Sequence, residues 1–206
     1  MVRDEFEDVL RFWFGDGPEV VDPSQVERWF RGGTDADILR RYRPLHERAA
    51  SGELDAWSRA PRSRLALILV LDQFSRTLHR GGEEAFAQDE RAQALTLEGL
   101  ENGHYAALAL PWEKIFFFLP LGHSEDLERQ DLAVRLSEDL VTEATPERRP
   151  MLLHSLSQAR GHRDVIARFG RHPHRNEALG RESTPEEREY IAKGEFVHQR
   201  SVPRDS

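Results

Sequence analysis

The stretch Arg62-Ser63-Arg64-Leu65-Ala66-Leu67-Ile68-Leu69-Val70-Leu71-Asp72-Gln73-Phe74-Ser75-Arg76 decides the fold. It is apolar without a break from Leu65 to Leu71, then turns polar at Asp72, Arg76 and Arg80 before Gly81-Gly82 stops it. A helix that is hydrophobic all round belongs in a core. This segment, from about Arg62, is therefore expected to be the central, most buried helix. Its run from Leu65 to Leu71 is the longest apolar run in the chain, far short of the roughly 20 residues that a membrane-spanning helix requires.

Helical periodicity extends outward in both directions. Towards the N-terminus, a helix from about Asp4 to Phe14 carries Phe6, Val9, Leu10 and Trp13 on one stripe and stops at Gly15. Asp22-Pro23 opens a second helix that buries Val26, Trp29 and Phe30. Thr34 caps a third that turns Ile38, Tyr42, Leu45 and Ala49 inward and ends at Gly52, and Trp57 to Pro61 is a connector. Towards the C-terminus, helices are expected around Glu84 to Asn102, from Pro111 through Phe116-Phe117-Phe118 into Pro120, from His123 to about Thr142, and from Pro146 to Phe169 with Gly170 as its stop. Thr184-Pro185-Glu186-Glu187 starts a last short one by the same cap-then-proline logic.

No alternating β-branched run suits a sheet, so the fold class is all-α, with about eight or nine helices in antiparallel pairs. The pairs suggest a solenoid-like or orthogonal bundle. No fixed repeat of about 34 residues is discernible.

Composition narrows the chemistry. A chain of 206 residues fits one domain, 1–206, with a polar tail from about residue 197, and a globule of that size buries roughly 70% of its unfolded surface. The absence of cysteine removes disulfides, thiolate metal sites and cysteine nucleophiles. A net charge of −8 disfavours nucleic acid and anionic lipid as partners. Acids occupy the N-terminal residues where a targeting peptide would need cations, so a soluble, cytoplasmic protein is expected. Glycine-rich phosphate loops, dinucleotide fingerprints, G-x-S-x-G elbows and EF-hand loops are missing, and no cofactor is indicated.

Candidate site residues fall in four groups. Asp72, Arg76 and Arg80 are spaced i, i+4, i+8, which lines them along one helical face; they form either an internal ladder or an arginine fork for a carboxylate or phosphate oriented by Asp72. Asp89 could join them. His123 and Glu125 stand at the expected start of a helix, with Gln130 about one and a half turns later; a helix N-terminus keeps an imidazole neutral and able to accept a proton, while Ser124, Glu125 and Asp126 also suit simple capping. His154, Gln158 and His162 share a face, but the histidines are two turns apart, roughly 12 Å, too far for both to hold one ion. His162 is the better candidate because it lies nearer in sequence to the last group. That group, Arg168, Arg171, His172, His174, Arg175, Asn176 and Arg181, gathers donors after a helix; it is solvated surface, a buried network or an anion site. His172-Pro173-His174 could bind a metal, but the loop contains no carboxylate and several arginines surround it.

Four blocks together carry a resemblance. They are Phe12-Trp13-Phe14-Gly15; Leu65 to Arg76 with Arg80-Gly81, Ala85-Phe86-Ala87 and Asp89; Leu119-Pro120-Leu121-Gly122-His123-Ser124-Glu125; and Arg168-Phe169-Gly170-Arg171 with Pro173-His174-Arg175-Asn176, Leu179-Gly180-Arg181, Ser183-Thr184 and Glu186-Glu187. Over roughly residues 5 to 197 the chain resembles the bacterial domain-of-unknown-function family number 924. The resemblance implies a tetratricopeptide-like all-helical fold and no reaction, cofactor or partner. The chain departs from the pattern at Thr77, Gly122 and His172, where Asn, Met, and Arg or another large residue would be expected.

Two functional readings follow. In the first, Arg76, Arg80, Arg171, Arg175 and Arg181 bind a small anionic molecule while His123, Glu125 or His174 transfers a proton, with Asp72, Gln130, His162 and Asn176 completing the site. In the second, stacked helices form a groove in which the arginines clamp a peptide carboxylate. A metal-dependent hydrolase is disfavoured because no two ligands are suitably spaced.

Overall fold

The computed structural model describes residues 2–15, 17, 23–30, 33–194 and 196–197, the side chains of residues 2–4, 23, 26, 27 and 30 excepted. Every regular element among them is helical. The chain divides into two compact units, Met1–Pro120 and Leu121–Ser206. The expected burial of Val26 and Phe30, and residues 198–206 of the expected tail, lie outside the described residues.

The first unit contains α1 (Val2–Phe14), α2 (Pro23–Phe30), α3 (Asp35–Asp37), α4 (Arg43–Ala50), α5 (Pro61–Leu69), α6 (Ser75–Leu78), α7 (Asp89–Glu101) and α8 (Pro111–Gly122), the division between units falling within α8. The apolar stripe of α1 faces inward, with Val9, Leu10 and Trp13 almost fully buried, and Gly15 at φ +65° donates to Arg11 O to end the helix. The Trp13 carbonyl then accepts from Trp29 Nε1 at 2.7 Å and Gln25 Nε2 at 2.8 Å, tying α2 to the end of α1. Trp13, Phe14 and Trp29 each pack on Phe116 with ring centroids 4.9–5.7 Å apart, contacts worth about 0.5–1.5 kcal/mol per pair beyond their area.

α5 is the centre expected of it. Every side chain from Leu65 to Leu71 is wholly buried, and α5 packs against α1, α7 and the 3₁₀ turn Asp55–Arg59.

Two π turns change the phase that a 3.6-residue period predicts. Val70–Phe74 joins α5 to α6, and Ile38–Tyr42 joins α3 to α4. A π turn closes i→i+5 bonds and adds a residue to the turn, rotating everything after it. Asp72 is consequently buried with Ser75 and Leu78 instead of leaving the core beside Arg76 and Arg80. α6 ends at Leu78, so Arg80 lies past the helix. In the same way His46, not Leu45, faces the core beside Ala49. Thr34 precedes α3 without capping it, its hydroxyl donating to Arg28 O.

The second unit contains α9 (Leu127–Thr142), α10 (Arg149–Phe169) and α11 (Pro185–Lys193), with a 3₁₀ turn at Pro173–Arg175. The short 143–148 connection returns α10 along α9, its main packing partner. Several expected boundaries move. α8 continues past Pro120 to Gly122. α9 begins at Leu127 because Asp126, whose side chain accepts from Arg129 N at 3.1 Å, is the cap, and this leaves His123 in the turn ahead of the helix. α10 starts at Arg149 rather than Pro146 and ends at Gly170, φ +67°. α11 opens with a full capping box: Thr184 Oγ1 accepts from Glu187 N and Glu187 Oε2 from Thr184 N.

One contact in the first unit leaves no slack. A Cβ on Gly99 of α7 would lie 2.4 Å from Phe117 Cζ and 2.9 Å from Arg64 Cδ. Neither neighbour can yield easily, since Phe117 is wholly buried and Arg64, 1% exposed, is fixed by His104 Nδ1, Leu95 O and Glu98. Gly99→Ala is expected to destabilise the protein despite the better helix propensity of alanine, because overpacking of about 1–3 kcal/mol exceeds a propensity gain of about 1 kcal/mol. Chemical denaturation measures the difference, and a stabilised variant would refute the steric account.

Candidate functional site

The C-terminal donors of the second unit converge on the loop after α10, and most are already engaged. Glu187 is 2% exposed, and its carboxylate accepts from Arg171 Nε at 2.7 Å, Arg171 Nη2 at 2.8 Å, Thr184 N at 2.8 Å and Asn176 Nδ2 at 3.3 Å. Hydrogen bonds from Arg171, opposed by burial and reinforced by the Thr184 amide, the Arg171 charge and Asn176, hold its pKa at about 2. Arg171 also donates to Glu182 O at 2.9 Å, and Asn176 Nδ2 to Ser183 Oγ at 2.9 Å.

A second carboxylate closes the other side of the loop. Glu125 takes Arg181 as a bidentate partner, at 2.7 and 3.0 Å, and accepts from His172 N at 2.8 Å, while Arg181 Nη2 reaches His172 O at 3.3 Å. Burial opposes its ionisation, but the Arg181 hydrogen bonds, the His172 amide and the charges of Arg181 and Arg175 keep Glu125 below the usual carboxylate range. Both of its oxygens are thereby committed to positioning His172.

That clamp delivers an imidazole cluster. The His172 ring lies 5.7 Å from His162 and 5.3 Å from His174, centroid to centroid, and is 1% exposed. Burial, then the charges of Arg175, His162, His174 and His123, push the His172 pKa far down, so the ring is neutral. Its Nε2 is buried without a hydrogen-bond partner. Gln130 is fully buried nearer the start of α9, its amide nitrogen donating to Gly122 O at 2.8 Å and Ser124 O at 2.7 Å, which fixes the turn that carries His123. His123 is near enough to His172 for its charge to contribute to that ring's lowered pKa. From sequence His172 was weighed within the donor group and as half of a His172-Pro173-His174 metal pair, but was given no part in anion binding or proton transfer; the proline between two histidines was the available signal. His154 is held by Gln158 at 3.4 Å, its pKa lowered by burial.

A groove of about 420 Å³ runs beside this cluster, lined by Leu156, Gly161, Val165, Phe169, Tyr190 and Val197 among others. Phe196 links the two, its ring 5.7 Å from His174 and 5.8 Å from Tyr190.

In the first unit, Arg76 donates through Nη2 to Asp72 at 3.1 Å and Asp89 at 2.9 Å and lies over the Phe86 ring at 5.5 Å. Arg80 instead pairs with Asp35 at 2.6 Å, which also accepts from Thr77 Oγ1. The two arginines therefore serve different carboxylates and do not form one fork. Ser75 Oγ meets His46 Nε2 at 2.7 Å, with both side chains buried. Burial, then His79 and Arg43, lower the His46 pKa to about 4. Among the described residues no group of three or more His, Asp or Glu side chains is arranged to hold a metal ion, and no helix is long and apolar enough to cross a membrane.

A family model described as "Bacterial protein of unknown function (DUF924)" matches residues 9–195. A solved structure titled as a protein of unknown function, ATU0120 from Agrobacterium tumefaciens, is 36% identical, covers 94% of this chain and 100% of its own, and superposes with a TM-score of 0.79. No curated protein matches the chain.

The Glu187 carboxylate sets an acid limit. Its folded-state pKa lies at about 2 against an ordinary 4.5, so its contribution is complete above pH 4.5 and is lost as pH falls through about 2. Glu187→Gln is expected to lower the melting temperature at pH 7, with the gap to wild type narrowing below pH 4.5 and closing near pH 2. A gap independent of pH in thermal denaturation would contradict this assignment.

Proposed function

The chain belongs to the bacterial DUF924 family, and on that premise we propose that its second unit binds a small anionic ligand at the cluster of His172, His174 and Arg175. One observation carries the reading: a buried, neutral imidazole whose Nε2 has no hydrogen-bond partner, set in surroundings whose net effect on it is cationic. A buried polar atom left unsatisfied costs roughly 1–3 kcal/mol, and native proteins rarely keep one without a water, an ion or a ligand to meet it. A neutral imidazole can donate from Nε2 to an anion's oxygen, and the nearby positive groups favour negative charge there although the whole chain carries −8.

This reading redistributes the roles. Arg171, Arg181, Asn176 and Glu125 build the loop through their bonds to Glu187, Ser183 and the His172 backbone, although Asn176 Oδ1 and Arg181 Nε, like His172 Nε2, are buried without a partner. His123, His162 and His174, all half-buried, line the approach. Glu125 is a positioning residue, and any proton transfer belongs to the half-buried histidines. The peptide-carboxylate reading clamps with the arginines, and of these Arg171 is already held by Glu187 and Glu182 O and Arg181 by Glu125 and His172 O.

Isothermal titration of the full chain with inorganic phosphate and with acetate tests the proposal. At least one is expected to bind, with His174→Ala weakening it by about tenfold, a factor worth about 1.4 kcal/mol. The melting temperature of His174→Ala should stay close to wild type. Absence of binding by both anions, or binding unaffected by His174→Ala, would overturn it.

A further inference from the structure

We infer that the ligand is an organic anion with an apolar body, an aryl or medium-chain acyl carboxylate, whose head meets the imidazole cluster and whose body fills the adjoining groove. The inference rests on the anion reading of that cluster and adds the other half of the molecule. Its basis is the continuity between the two places. Phe196 contacts His174 on one side and Tyr190 on the other, and Tyr190 and Val197 are groove walls. On α10, Gly161 and Val165 line the groove while His162, between them in sequence, turns its ring to His172.

The groove has the character of a body site rather than a head site. Its volume of about 420 Å³ lies in the range of small-molecule pockets, roughly 300–1,000 Å³. Leu156, Val165 and Val197 are buried, Phe169 and Tyr190 meet in a tilted contact at 5.2 Å, and Ser157, Arg160, Asp164 and Arg168 supply the polar part of the lining. The arginines at its rim are matched: Arg160 pairs with Glu138 at 2.8 Å and Arg168 with Glu186 at 2.6 Å. A charged head therefore gains little along the rim and more at the cluster, where His172 Nε2 awaits a partner. Apolar surface with one convergent polar end is the usual composition of a site for an amphipathic small molecule.

The experiment is competition and titration calorimetry on the full chain with acetate, octanoate, phenylacetate, inorganic phosphate and octylamine, repeated on Ser157→Trp. Ser157 is an exposed lining residue of the groove, so the indole obstructs the body site without touching the core or the cluster. Octanoate or phenylacetate is expected to bind at least about tenfold more tightly than acetate, as several buried methylenes require, with octylamine not binding. Ser157→Trp should erase that preference while leaving acetate or phosphate binding intact. If the simple anions bind but octanoate and phenylacetate gain nothing, or if Ser157→Trp leaves their advantage unchanged, this inference fails while the anion site stands. Failure of every anion to bind overturns both.

Discussion

The carboxylate of Glu125 is the constraint on which the candidate site depends. With one oxygen on the His172 amide and both on Arg181, which itself reaches the His172 carbonyl, it fixes a loop residue by its backbone from both sides. Charge-assisted, bidentate bonds of this kind are short and directional. The consequence is that the His172 ring is placed without using any atom of the ring. Its Nε2 stays available, buried and neutral, beside His162 and His174.

Glu187 repeats the device one step later. It anchors Arg171, Asn176 and the first turn of α11 through a single carboxylate. Both clamps are formed between residues separated in sequence, Glu125 from Arg181 by 56 and Arg171 from Glu187 by 16. Sequence displayed the arginines and the acids but not which acid would consume which arginine. From sequence the C-terminal donors therefore suited solvated surface, a buried network or an anion site alike, whereas the charges of Arg171 and Arg181 are met by Glu187 and Glu125. Beside those pairs lies the His172 ring, packed against His162 and His174.

Local signals were legible wherever the chemistry is local. Gly15 and Gly170 stop helices because a left-handed residue without a Cβ is cheapest there. Thr184-Pro185-Glu186-Glu187 gave the start of α11 because a capping box involves only neighbours. The central helix announced itself through Leu65 to Leu71. The misreadings came from assuming one period throughout. The π turns at Ile38–Tyr42 and Val70–Phe74 are invisible to a 3.6-residue template, and each moves a polar residue, His46 or Asp72, from an expected flank into the core.

The same phase shift explains why the first unit's charged residues serve structure. Once Val70–Phe74 turns Asp72 inward, its ionised form requires a cation, and Arg76, one turn on, supplies it while also reaching Asp89 on α7. A buried carboxylate without such a partner would be costly. Arg76 is thereby fixed between two acids and against Phe86, and Arg80, beyond the helix end, is left to Asp35. In the second unit the same need for pairing is met by loop residues gripping one another, Arg181 with Glu125 and Arg171 with Glu187. Pairing satisfies the strongest charges first, and the neutral His172 ring is buried beside those pairs with its Nε2 unpartnered.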